Sequence, residues 1–429
     1  MVPWNTPGKS DKTRRIGLTC RFISPVFGGG VDPKKPDPVT PVRVPSIRGQ
    51  LRFWWRATHA DLSLRELRER ETRIFGGVHG DEPVASPLVI QVARQPRPPQ
   101  SLAVFQNGNA FNKAPGITEA LAYGAFPLRG LDAAKIHDTL SVYTDSFDLE
   151  LSFPERDAPE IHRALWAWLH FGGLGGRVRR GFGAIELEKA TGWALPSIQE
   201  GWPGGQQHPE ATWATLGALQ DCVVVAKRPY GNGREAQEAL LGLMRRMRQG
   251  DLGRKPNQPR PGRSYWPEPD AIRNLYRMTG GRHGTPIHNP RIEKFPRARF
   301  GAPIIFHFQT PPGEREPPDT TLVPTLRDKK DPLSRLASPL ILRPHANGKG
   351  GYEALALKLH HRRPDGWALL ERNRVKESGL QTKLTPEEAA RIIPLSENLS
   401  PPQTDAVAAY LARLKTLLPR KIPPCRHIC

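Results

Sequence analysis

Arg48, Arg52 and Arg56 recur at every fourth residue of the stretch Ser46–Arg56, the spacing that lines side chains along one face of a helix. Three like charges on one stripe repel one another, so an anion is expected along them. The chemistry that suits a row of guanidiniums is a phosphate chain. Trp55 and His59 fall on or beside the stripe, while Ile47, Leu51, Trp54, Thr58 and Leu62 gather on a neighbouring face expected to pack inward. Trp54 is therefore assigned to the core and Trp55 to a stacking base, worth ~1–3 kcal/mol. Ser46 is expected to cap the helix, with Pro45 before it in extended backbone. Phe53, opposite the stripe, has no assignment unless it faces the second half of the chain.

A second stretch, Gly172–Gly183 (GGLGGRVRRGFG), carries six glycines between a predicted helix and a predicted strand, more than a tight turn requires. Glycine allows close backbone approach, and consecutive free N–H groups in such a loop can cradle phosphate oxygens. Arg177, Arg179 and Arg180 add charge-assisted donors. A Walker A loop is excluded because Gly-Lys-Ser/Thr is missing here, and Gly8-Lys9-Ser10 lacks the upstream glycine and strand. A dinucleotide fingerprint is excluded because the loop follows a helix and leads into a strand, the reverse of that motif. The plainer reading is a flexible connection with a solvated basic tip.

These stretches need elements to position them. Alternation of Ile16, Leu18, Cys20 and Phe22 predicts a first strand over 14–27, followed by a turn at Gly28–Gly30 and a Pro- and Lys-rich loop holding Lys34 and Lys35. The arginine helix comes next, then a charge-dense helix over 62–73 and a strand over 88–93. Residues 96–130 read as a loop-rich insertion. A strand over 146–153, a helix over 159–171 and a strand over 182–187 complete a β-α-β-β-α-β order, the split βαβ arrangement. In that topology the arginine helix and the glycine-rich loop are expected to converge on one edge of the sheet, forming one site. Residues 191–210 read as a Gly/Pro/Gln linker. The second half shows strands near 222–226, 302–309, 338–343 and 352–359, and helices near 234–248, 269–278, 386–393 and 405–418. The expected fold class is α+β, with two ferredoxin-like (RRM-like) domains and loop-rich insertions: residues 1–190, then the linker, then a degenerate second domain over 211–429.

The formal charge of +21 and pI of 10.2 on 429 residues call for an anionic partner, although a GC-rich genome that favours Arg and Pro explains part of the excess. No apolar run of about 18 residues exists, and the N-terminus lacks the apolar region of a secretory signal. Four scattered cysteines make no disulfide framework, and a cytoplasmic location is expected.

The Gly-Leu-Gly-x5-Gly-Phe-Gly pattern at 173–183 resembles the glycine-rich loop of the RAMP superfamily of CRISPR-associated RNA-binding proteins. The run 46–57 is similar to the head-subunit family of the Cmr complex, the type III-B CRISPR effector, as are 24–30 (SPVFGGG), 299–304 (RFGAPI) and 336–342 (LASPLIL). The resemblance implies a non-catalytic subunit with two ferredoxin-like domains. It implies contact with the guide RNA near its 3′ end and with target RNA, beside other Cmr/RAMP subunits in antiviral defence. The expected RNA contacts are Lys34, Lys35, Ser46, Arg48, Gly49, Arg52, Trp55, Arg56, Gly173, Gly175, Gly176, Arg177, Arg179, Arg180, Gly181 and Gly183.

Because some RAMP proteins are metal-independent ribonucleases that use a histidine, an alternative reading makes His59 the acid/base of a CRISPR-transcript-processing endoribonuclease. No second acid/base partner is evident for it. A third reading is a scaffold whose basic patches meet acidic sister subunits. Cys425 and Cys429 lack a second ligand pair and no acidic cluster suits two-metal chemistry, so no metal or cofactor is expected.

Overall fold

Strand β1 (Thr13–Phe22) turns Ile16, Leu18, Cys20 and Phe22 inward, as its alternation predicts. In the computed structural model it pairs antiparallel with β3 (Ser146–Pro154) on one side and β4 (Ile185–Thr191) on the other, and β2 (Val89–Arg94) pairs with β3. The spatial order β2-β3-β1-β4 is the split βαβ order expected for residues 14–190. Helices α1 (Val44–Ala57) and α4 (Ala158–Phe171) cover one face, while α2 (Leu64–Phe75) packs beside α1. The structure describes residues 12–417 except 34, 80–81, 107–112, 129–138, 205–206, 227–228, 256–261, 279–283, 309–314, 330 and 361–362.

The first strand ends at Phe22 rather than 27 and the second helix starts at Leu64 rather than 62, and two further boundaries differ for local reasons. Helix α1 begins at Val44 with Arg43 at its N-cap and no side-chain cap, so Ser46 lies inside the first turn. Pro45 belongs there too, because its fixed φ suits a helix and its missing N–H is not needed in the first turn. The fourth strand starts at Ile185 rather than 182, because Gly183 takes φ +62° and Ala184 bridges back to Gly173 to close the loop.

In the second half, β5 (Val223–Val225), β8 (Leu340–Ala346) and β9 (Tyr352–Lys358) form a three-stranded antiparallel sheet in the order β8-β9-β5, with helix α5 (Gly233–Arg248) packed against it. Its strands lie in the spatial order of the first three strands of the N-terminal sheet. This sheet is buried on both faces. Ile341, Leu355 and Leu357 join the core of the N-terminal sheet, whereas Leu340, Leu342, Ala354 and Ala356 pack with α5 and the closing helix α7 (Ala406–Lys415). Burial on both sides explains the unbroken apolar run Leu340–Leu342.

Between these elements lie α6 (Glu268–Leu275), β6 (Ile304–Phe306) and β7 (Thr320–Thr325), and after β9 comes the hairpin β10 (Gly366–Glu371) and β11 (Arg374–Glu377). They make a further sheet, β6-β7-β10-β11, over a small core of Ile272, Phe295, Leu322 and Leu369. The 96–130 insertion holds helix α3 (Glu119–Gly124), and its Val104, Ile117, Leu121 and Leu128 pack with Leu240, Leu241 and Met244 of α5. The stretch 191–210 is no bare connector either, since Trp193, Leu195, Ile198 and Trp202 pack against the first core.

Candidate nucleic-acid interface

The arginine stripe on α1 already has its anion. Nε of Arg52 and Nη1 of Arg56 both donate to Oε1 of Glu71 at 2.7 Å, and Glu71 is only 6% exposed on α2. Arg48 donates to the Ser86 hydroxyl at 2.7 Å and to the Leu88 carbonyl at 2.9 Å, which fixes the entry to β2. The repulsion that predicted an external phosphate is thus answered from within, by a carboxylate fifteen to nineteen residues away in sequence. Arg52 and Arg56 stay half-exposed, with side chains 40% and 36% accessible.

Trp55 is a correction. Its side chain is fully buried, Nε1–H donates to Glu160 at 2.9 Å, and its ring stacks on His59 at 4.5 Å. Both tryptophans of the pair belong to the core, and Trp55 has no face left for a base. The helical wheel misplaced it because the wheel assumes one buried stripe, whereas α1 is covered by α4 on one side and by α2 on the other. On the remaining face of α1 Gly49 is exposed while Ser46 and Phe53 are half-buried, and a side chain at Gly49 would meet nothing within 4 Å. Lys35 is exposed and lies 3.8 Å from Asp32, while Lys34 lies outside the described residues.

The glycines of the 172–183 loop answer to the protein's own packing. A Cβ at Gly172 would strike Trp168 and Trp54, one at Gly173 the Gly183 carbonyl, one at Gly175 Val26, and one at Gly176 Phe27. Gly175, Gly181 and Gly183 also have positive φ. Six loop N–H groups are spent internally: Gly172 on Trp168, Leu174 on Gly183, Gly176 on Phe27, Arg180 on Arg177, Gly181 on Val178 and Gly183 on Pro25. The expected cradle of consecutive free N–H groups is therefore not what these glycines serve. They let the loop fold onto itself, onto residues 25–27 and onto the second half, where Leu342 N–H donates to the Arg179 carbonyl and Gln237 Nε2 to that of Arg180.

Loop and helix do meet, through Phe53 rather than through the arginine stripe. The Arg179 guanidinium sits 5.5 Å over the Phe53 ring and also donates to the Ser338 carbonyl, so Phe53 is covered from the side of the second half. Arg177 lies 6.0 Å from the Phe27 ring centre. Burial pushes the guanidiniums of Arg177, Arg179 and Arg180 down, Arg177 to about 10, and the nearby Arg180 charge lowers the first two further. Nε of Arg177 and Nη1 of Arg180 are buried and, among the described residues, have no hydrogen-bond partner. Arg179 is tied into the seam, while Arg177 and Arg180 carry desolvated, uncompensated charge.

His59 is 3% exposed. Its Nδ1 lies 2.6 Å from the Trp55 carbonyl, which requires the proton on that nitrogen, and Nε2 is 3.8 Å from Glu160. Burial lowers its pKa, against the opposing pull of the Trp55 carbonyl. The buried His170 and the half-buried His345 form a pair at the seam: His170 Nε2–H donates to the Pro196 carbonyl, so its Nδ1 accepts from His345 Nε2–H at 3.0 Å. Nothing in the spacing of the sequence announced this pair, nor the fully buried Arg343 beside it that donates to the Ile185 carbonyl.

The sheet face away from the helices holds a groove of about 710 Å³ lined in part by Arg15, Gly17, Gln91, Glu150 and Ser152. Nearby on the same face Arg21 pairs with Glu186 and Glu188, and Arg94 with Asp148. These carboxylates, with no ring among the groove's lining, make it unlike the aromatic platform on which an RRM stacks bases. Among the described residues no group of His, Cys, Asp and Glu is arranged to hold a metal ion, and no helix is long and apolar enough to cross a membrane. Cys425 and Cys429 lie outside them.

Residues 19–186 match the family model of the RAMP superfamily. This segment is a RAMP-superfamily domain. No curated protein matches the chain. Among solved structures it is similar to Cmr1 from Pyrococcus furiosus in its apo form, at 16% identity and a TM-score of 0.45, covering 82% of this chain and 89% of that one. It is also similar to a chain of the type III-B Cmr-beta complex bound to cognate target RNA, at 12% identity and a TM-score of 0.43, covering 82% of this chain and 97% of that one. The RAMP domain contains both α1 and the glycine-rich loop.

Proposed function

We propose that the chain is a non-catalytic RNA-binding subunit of a type III-B CRISPR ribonucleoprotein effector, acting in the cytoplasm in antiviral defence beside other Cmr/RAMP subunits. It contacts the guide RNA toward its 3′ end, the target RNA, or both. The observation that carries this reading is a RAMP-domain loop whose Arg177 and Arg180 bring buried, unpartnered guanidinium nitrogens into a protein of net charge +21. Uncompensated charge of that kind costs stability and is offset when a phosphate arrives. We further read the chain as two units, 1–190 and 211–429, joined by 191–210. The second is a degenerate ferredoxin-like unit whose sheet β8-β9-β5 has no counterpart of β4 among its described strands.

The ribonuclease reading finds no support in the buried, internally bonded His59. The test is to titrate purified protein with labelled CRISPR repeat-derived guide RNA across a salt series without metal. Intact RNA is expected, with affinity falling along a log–log slope of roughly −0.7 per phosphate contacted. Absence of binding at low salt contradicts the proposal. Cleavage that disappears in His59→Ala replaces it with the enzyme.

A further inference from the structure

Arg177 and Arg180 are not alone in the seam. Arg248 closes α5, Arg254 follows it in a turn bridged to Ser264, and Arg297 lies in the short helix Pro296–Phe300. Tyr123 of α3 stands among them, acting on Arg177, Arg180 and Arg297 and accepting a hydrogen bond from Arg248 Nη1 at 3.4 Å. The arginines also act on one another: Arg177 with Arg180, Arg180 with Arg248, Arg248 with Arg297, and Arg297 with Arg254.

Compensation is scant. Arg297 Nε lies 3.2 Å from the fully buried carboxylate of Glu268. Among the described residues, the charged or polar neighbours that act on Arg180 are Arg248, Tyr123 and Tyr410, and those on Arg177 are Arg180 and Tyr123, with no carboxylate in either set. Arg177 also holds φ +55°, a left-handed backbone that strains a residue with a Cβ. Glu268 answers the charge of Arg297, whereas among the described residues no carboxylate answers those of Arg177 and Arg180.

We propose that this cluster is a phosphate site, built where the glycine-rich loop, the 96–130 insertion and the second half meet, and that it takes one phosphate group of a polynucleotide. Guanidinium forks match the tetrahedral oxygens of a phosphate, and the Tyr123 hydroxyl is a neutral donor beside them. The site rests on the RNA-binding reading only for the carrier of the phosphate; the cluster itself calls for an oxyanion whatever carries it.

Two variants of the full chain test it. Arg177→Gly removes a charge and relieves the positive φ, so it keeps the fold, and Arg248→Gln removes a charge at the far side of the cluster. Binding of a fluorescein-labelled oligouridylate is read by anisotropy over a salt series, and the unfolding midpoint is read in sodium phosphate and in chloride at equal ionic strength. Each variant is expected to bind about ten-fold more weakly, with a salt slope shallower by roughly 0.7, and to lose the stabilisation that phosphate confers on the native chain. If the native chain binds the oligouridylate and both variants match it in affinity and slope, the site is refuted while the RNA-binding reading stands. If the native chain ignores the oligouridylate but phosphate stabilises it and not the variants, the anion site survives and its polynucleotide carrier is overturned. If neither ligand acts on the native chain, both readings fall.

Discussion

Trp55 shows how much a single side chain depends on what its helix meets. Between α4, α2 and the ring of His59 it has no exposed surface, and its one polar atom is satisfied by Glu160. Trp55→Ala is therefore expected to cost about 3–5 kcal/mol of stability through the cavity it leaves. Trp55→Phe should keep RNA affinity while losing the Glu160 hydrogen bond and some packing. Chemical denaturation alongside RNA titration checks this, and a folded Trp55→Phe protein with RNA affinity lowered more than ten-fold would contradict it. Glu71 carries the same lesson for charge, since it converts a stripe that looks like a ligand site into an internal bridge between α1 and α2.

At the scale of elements, the glycine-rich loop is the joint of the molecule. It runs from α4 to β4, lies on residues 25–27, and hands its carbonyls to β8 and α5. Gly183 is its tightest point: it has φ +62°, and a Cβ there would drive into the Leu174 carbonyl. Gly183→Ala is expected to destabilise by about 2–4 kcal/mol, combining backbone strain with overpacking. Gly49→Ala on the open face of α1 is expected to stabilise by about 0.5–1 kcal/mol, because alanine suits a helix interior better and nothing crowds that position. Thermal unfolding of the two variants reads both signs at once, and equal midpoints would contradict the packing account of the loop.

At the scale of the whole molecule, the two halves share a histidine pair. Burial first and the Arg343 charge with it push His170 down to about 4 and His345 to about 3, so both are neutral. With folded values below the unfolded value near 6.5, the unfolded chain binds more protons as the pH drops through that window. Stability is therefore full above about pH 7 and falls as the pH goes from 6.5 toward 4, by up to about 1.4 kcal/mol per pH unit for each histidine. Carboxylates contribute to acid unfolding as well, so the informative quantity is the difference between the native chain and His170→Gln. The variant's urea midpoint is expected to change less between pH 6.5 and 4.5; parallel curves would remove the pair from the account.

The chain's local patterns announce the N-terminal sheet order, its two covering helices and the main elements of the second half, because alternation, helical periodicity and glycine clusters are properties of neighbouring residues. The RAMP character is equally legible, being written in two short motifs. Strands β7, β10 and β11 are not, since Pro324 interrupts one and the other two form a hairpin whose β11 is exposed throughout. The site divides along the same line. That Arg177, Arg179 and Arg180 sit in a glycine-rich loop is a fact of sequence. Which arginine is paired and which is left over depends on partners fifteen to more than a hundred and fifty residues away, Glu71 for Arg52 and Arg56, Ser338 for Arg179, and for Arg177 and Arg180 no carboxylate. Charge is carried by the residue, but its compensation is a matter of distance in space, which chain position does not encode.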